Sequence, residues 1–211
     1  MCYNLKSSIA AFSIAMITVI LMYLRQTKLD KLLFPFVFTY GLMQLAEGLM
    51  WYDIKCGKIN KFGTYMAYYV LVLQLLSIGI GLYLTEKDKI GIFLGILFLI
   101  YHTITIPKIK CSKQSSKNRH MLWGFKYYVT RHIWPIIALL VAFLSNVKKI
   151  YKFIIIFWTA STYLYFYSKQ LDVKNVFLKK YFNISKTTIG STWCHFASIS
   201  APGLYLIQNF I

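Results

Sequence analysis

The sequence predicts an all-α protein, a polytopic bundle of about seven transmembrane helices forming one domain over residues 1–211. Three observations predict it. Apolar runs, each about the length of a bilayer crossing, fill almost the whole chain. Hydrophobic residues make up 58% of the chain and charged residues only 14%, against about 25% charged in an ordinary soluble domain. The short connections between the runs are loaded with lysine. A surface so poor in charge suits hydrocarbon better than water, and the mean hydropathy of +0.55 agrees. Aromatic residues, at 18%, suit the Tyr and Trp belts of membrane interfaces.

The predicted spans cover residues 7–24, 32–52, 62–84, 90–106, 125–143, 150–167 and 187–211. The first follows Met1-Cys2-Tyr3-Asn4-Leu5-Lys6 and superficially resembles a secretory leader. Its apolar run is long for a leader and lacks a small-residue cleavage site, so it reads as a retained helix. The second carries Glu47, the third Gln74, and the fourth Gly91 and Gly95 in a GxxxG spacing. The fifth contains Arg131, His132 and Pro135, and the seventh opens on Gly190-Ser191-Thr192-Trp193-Cys194-His195, so polar residues interrupt both. In the seventh, Gly190, Cys194, Ala197 and Ala201 form a small-residue stripe that permits close helix contact. No internal repeat of the inverted-transporter kind is visible.

Net charge is +18, from 21 Lys and 3 Arg against six acids. The basic residues lie between apolar runs and not on one periodic face, which excludes nucleic acid as the partner and points to anionic lipid headgroups. Sixteen of the 24 cations fall on the side of the N-terminus and the even-numbered connections, and eight on the other. The positive-inside rule then predicts a cytosolic N-terminus. Cys2, Cys56 and Cys111 fall on that same side, where thiols stay reduced. The sequon Asn183-Ile184-Ser185 would sit there too, unused. In the connection 108–120, Lys108, Lys110, Lys113, Lys117 and Arg119 are expected to contact anionic headgroups or to act as a solvated orientation signal. Residues 172–184 read as a short interfacial amphipathic helix.

A charge inside a bilayer costs about 2.5–3.5 kcal/mol on insertion scales, so ionisable residues within spans are informative. Glu47 is the one acid deep in a span, about four residues past the midpoint of the second. Tyr40, Gln44, Glu47 and Trp51 share one face at helical spacing. Depth arithmetic places Gln74, His102, Arg131, His132 and His195 near the same layer, on which Trp193 and Cys194 also border. Polar residues also hold membrane helices together, at about 0.6 kcal/mol each on average. For a lone His or Gln that structural role is the simpler one; for Glu47 both roles stand open.

The segment Met43-Gln44-Leu45-Ala46-Glu47-Gly48-Leu49-Met50-Trp51, together with Gly190-Ser191-Thr192-Trp193-Cys194, resembles the paired motifs of an uncharacterised family of multi-pass membrane proteins of large DNA viruses and protists. The lysine-rich, AT-biased composition fits such a source. The resemblance implies a membrane setting and draws attention to Gln44, Glu47, Trp51, Trp193 and Cys194, and it implies no activity.

Three functions follow in order of preference. The polar layer points first to a small-solute or proton pathway, because intramembrane acids and histidines are the usual parts of proton relays. A structural or scaffolding membrane protein, a homo-oligomer included, is the alternative. An intramembrane metal-dependent hydrolase is the third; the four His are scattered and no H-x-x-x-H or H-E-x-x-H occurs, so no metal or catalytic residue is assigned. No cofactor-binding fingerprint is present.

Overall fold

A computed structural model of the chain describes residues 4–114, 121–125, 128–157 and 159, with the side chains of 122 and 128–135 outside that description. Five helices are complete within it: α1 (Leu5–Arg25), α2 (Lys28–Tyr52), α3 (Lys58–Glu86), α4 (Ile90–Ile104) and α5 (Tyr128–Leu144). Residues 149–157 are also helical. The first three are long and apolar enough to cross a membrane. α4 is apolar but only 15 residues long. The expected sixth and seventh spans lie largely outside the described residues, as do the sequon and the segment 172–184.

Local chemistry sets the ends. Asn4 caps α1 by accepting from the Ser7 amide at 2.9 Å. α1 ends where Gln26 takes a left-handed conformation (φ 57°). Thr27 and Asp30 then form a reciprocal capping box that starts α2. Asp30 is buried and holds the Arg25 guanidinium through two bonds, at 2.8 and 2.7 Å, which locks the α1–α2 turn. Asp53 follows α2 and accepts from the amides of Gly57, Ile59 and Asn60, each at 3.1 Å. Its negative charge suits the positive end of the α3 dipole. Asp88 works similarly at the opposite end: it accepts from the Ile90 amide that starts α4 and the Asn146 amide that follows α5.

The helices run alternately up and down. α2 packs along both α1 and α3, and α4 lies against α3. The register is legible in close approaches. Gly81 of α3 meets the Leu32 backbone of α2, Gly79 meets the Gly91 backbone of α4, and Gly95 of α4 meets Leu76. The GxxxG pair therefore serves contact within the chain. A core of Leu33, Phe36, Tyr40, Val72, Leu75, Leu82, Phe98 and Val141 fills the half of the bundle nearer the Asp30–Asp88 end.

The outer surface is apolar. Ile14, Ile17 and Ile20 on α1, Phe93, Leu97 and Ile100 on α4, and Ile136 and Leu140 on α5 are exposed. Inside lie Asp30, Thr39, Gln44, Glu47, Asn60, Gln74 and His102. In a water-soluble domain acids, amides and imidazoles buried beneath such apolar outer faces are the exception.

One short non-helical feature departs from the all-α expectation. Between α4 and α5, β1 (Lys113–Gln114) pairs antiparallel with β2 (Met121–Leu122), Lys113 opposite Leu122 and Gln114 opposite Met121.

The Gly79–Gly91 contact is between backbones, so a methyl group added at Gly79 cannot be absorbed by turning a side chain. At Gly48 the nearest neighbour of an added Cβ is the flexible tip of Ile9, at 3.2 Å, with Ser8 and Leu5 at ordinary contact distance. Gly79→Ala should lower the stability of the detergent-solubilised protein by about 1–3 kcal/mol. Gly48→Ala should change it much less. Thermal unfolding followed by circular dichroism checks the order of the two.

Candidate functional site

The polar residues gather at the end of the bundle where α2 stops and α3 starts. α3 has 29 residues, about 43 Å at 1.5 Å per residue. α4 has 15, about 22 Å by the same measure, and so stops short. Its last turn reaches only as far as Tyr68, ten residues inside the start of α3. Residues 105–114 and 121–125 cover the uncovered length, forming a cap.

The cap has no helix to satisfy its backbone, so side chains do so. The Asn60 carboxamide donates to the carbonyls of Met50 (3.2 Å) and Ser112 (3.1 Å) and accepts from the Ser112 amide (2.9 Å). Ser112 Oγ sits 2.8 Å from Thr64 Oγ1 and accepts from the Gly124 amide at 3.0 Å. The Lys110 amide donates to the Gly124 carbonyl at 2.7 Å. Asn60, Thr64 and Ser112 are fully buried. A disulfide between Cys56 and Cys111 adds a covalent tie across 55 residues. The expectation of reduced thiols at these two positions is thus corrected: the hydrogen bonds around Asn60 and Ser112 bring Cys111 against the α2–α3 turn, and the two sulfurs join.

Below the cap, Met121 and Phe125 pack on Met43, Ala46 and Met50 of α2 and on Ala67 and Tyr68 of α3. Trp123 stacks on Phe125 with ring centroids 5.6 Å apart. Its indole N–H donates to Glu47 Oε1 at 3.2 Å. Glu47 is 1% exposed. α2 begins four residues before the predicted span, so its midpoint is Tyr40. Glu47 lies seven residues beyond it, about 10 Å. The carboxylate is therefore nearer the capped end than sequence arithmetic placed it. Gly48, its neighbour, packs against Leu5, Ser8 and Ile9 in the first turns of α1.

His102 lies in the last turn of α4 and is 2% exposed. Tyr68 Oη is 2.9 Å from its Nδ1 and donates to its carbonyl oxygen at 3.1 Å. That carbonyl is among the last four of α4 and lacks an intrahelical partner, so Tyr68 caps a helix end inside the bundle. One phenol proton serves one acceptor at a time. With it on the carbonyl, Nδ1–H donates to the phenol oxygen and Nε2 is left as a bare lone pair. Among the described residues Nε2 has no hydrogen-bond partner. The rings of Phe98 and Tyr101 stand edge-on to the imidazole at 4.4 and 5.3 Å.

The other expected members divide. Gln44, 2% exposed, is one turn from Glu47 on α2. Trp51 packs partly buried against the cap cluster. Gln74 is buried six residues farther along α3 than Tyr68, where its carbonyl accepts from Ser77 Oγ at 2.7 Å. That is about 9 Å from the His102 level, in a separate layer with Thr39 and Ser77. Arg131 and His132 are on α5, with side chains outside the described residues, and Trp193, Cys194 and His195 lie outside it altogether. Lys108, Lys110 and Lys113 are exposed, while Cys111 and Ser112 between them are buried; Lys117 and Arg119 lie outside the described residues. Among the described residues no group of three His, Cys, Asp or Glu could hold a metal ion.

Sequence reasoning passed over Tyr68, Asn60, Ser112 and Trp123. A signal existed for the last: Met121-Leu122-Trp123-Gly124-Phe125 is an apolar island in a basic connection. No protein-family model, no curated protein and no solved structure matches the chain.

Asn60→Ala should strand the Ser112 amide and two buried carbonyls. Each such group costs about 1–3 kcal/mol, so the unfolding midpoint should drop and limited proteolysis should cut within 105–125. Trp123→Phe keeps the stacking on Phe125 and removes only the donor to Glu47, so it should cost less. Equal resistance of all three proteins to protease would mean that the Asn60 lattice does not hold the cap.

Proposed function

We propose that the chain is a multi-pass integral membrane protein whose role in its membrane is structural. One observation carries the membrane part: the described helices expose Ile, Leu and Phe around the bundle and bury their acids, amides and histidine within it. Only a hydrocarbon surrounding rewards that distribution. The span-length hydropathy of α1, α2 and α3 supports it, as does the resemblance of residues 43–51 to the viral and protist family. Seven crossings are part of the proposal, with the later ones beyond the described residues.

The structural role rests on what the polar residues do. Glu47 receives the Trp123 indole under a packed cap. Tyr68 satisfies the end of α4. Asn60 ties three segments together. Each of these arrangements holds backbone or cap in place. A proton or small-solute pathway is the second reading, favoured by the His102 Nε2 atom, which is buried without a partner among the described residues.

Two measurements test this. After alkaline carbonate extraction the protein should stay in the membrane pellet; release to the supernatant would refute the membrane assignment. In reconstituted vesicles, proton and solute flux should match that of empty vesicles. A flux above that background, lost in Glu47→Gln or His102→Phe, would replace the structural role with the pathway.

A further inference from the structure

We infer that the capped end of the bundle, and the N-terminus with it, faces an oxidising compartment. This rests on the membrane reading above and goes beyond it by assigning a side. Cys56 and Cys111 are joined, with Cα atoms 5.4 Å apart. Their meeting is built into the fold by bonds that do not involve sulfur: Ser112 is held by Asn60, and Lys110 by Gly124. Cys56 itself lies in the α2–α3 turn in a left-handed backbone conformation (φ 70°).

Cys111 is 7% exposed but Cys56 is open to solvent. A reductant can therefore reach the bond from the Cys56 side. In a cytosol poised by glutathione and thioredoxin such a bond is rarely kept. Its formation removes two protons and two electrons from the thiols. A thiol–disulfide oxidoreductase takes up both electrons as its own disulfide becomes a dithiol. Partners of that class act in the lumen of the secretory pathway, the periplasm or outside the cell.

Lysine distribution within the described residues does not oppose this. The capped end holds Lys6, Lys55, Lys58, Lys61, Lys108, Lys110, Lys113 and, in the first turn of α5, Arg131, and the opposite end holds Arg25, Lys28, Lys31, Lys87, Lys89, Lys148, Lys149 and Lys152. Eight against eight is no bias. The excess that suggested a cytosolic N-terminus comes from residues beyond this set. The Arg25–Lys28 turn and the Asp88 end then face the reducing side.

The full chain, carrying Cys2→Ser and Cys194→Ser, is expressed in a eukaryotic host and sealed microsomes are collected. Denatured protein is reacted with a polyethylene-glycol maleimide before and after reduction. Two polymer additions should appear only after reduction, and the further change Cys56→Ser should leave one addition in both samples. Two additions without reduction would overturn the inference. Sidedness is read in a cysteine-free chain with Gln26→Cys or Ile54→Cys, both at exposed positions. An impermeant maleimide should label Gln26→Cys in sealed microsomes and Ile54→Cys only after permeabilisation. The reverse pattern would overturn the assigned side. Labelling of both in sealed microsomes, with release by carbonate, would overturn the membrane reading instead.

Discussion

Where polar groups are allowed to sit constrains everything else in this molecule. Its outer faces are Ile, Leu and Phe, and Asp30, Gln44, Glu47, Asn60, Gln74 and His102 of the helices are buried within the bundle. In hydrocarbon the same demand extends to backbone, since an unsatisfied N–H or C=O costs several kcal/mol there. A full-length helix meets that demand by itself. α4 does not have full length, and its early stop creates a deficit that other parts of the chain make good. Tyr68 takes the His102 carbonyl, and Asn60, Thr64 and Ser112 take the irregular chain that follows.

The cap is thus held by three kinds of bond: a covalent link at Cys56–Cys111, a buried hydrogen-bond lattice around Asn60, and an indole–carboxylate contact at Glu47. They act on different parts of the same segment. The disulfide and lattice fix 110–112 and 124, and Trp123 extends that hold down to α2. Such redundancy suits a segment that covers a helix end. The opposite end is simpler. There Asp30 with Arg25, and Asp88 with two amides, close tight turns that need no cap.

The helices were legible in the sequence because apolar run length alone defines them. The limits of α1 to α5 differ from the predicted spans by a few residues, mostly where capping residues such as Asn4, Thr27 and Asp53 extend a helix past its apolar stretch. The cap was not legible. Its bonds join residues 52 and 55 positions apart, and no local pattern announces them. Lys108, Lys110 and Lys113 made the connection look like a solvated basic strip, although the Cys111 and Ser112 among them face inward. Glu47 was legible as a residue that needs a partner, and Gln44 as its neighbour on the same face. The partner Trp123 was hidden because it belongs to a connection and not to a helix. The segment with Trp193, Cys194 and His195 lies outside the described residues.

The proposed membrane setting requires hydrocarbon around the exposed apolar faces. Electron paramagnetic resonance on the reconstituted protein tests this most directly, with single spin labels at Ile17, Leu97 and Ile136. Dissolved oxygen, which concentrates in lipid, should relax all three labels strongly, and a water-soluble nickel chelate should leave them almost untouched. Strong relaxation by the nickel chelate at these positions would place water where the account requires lipid, and would contradict it.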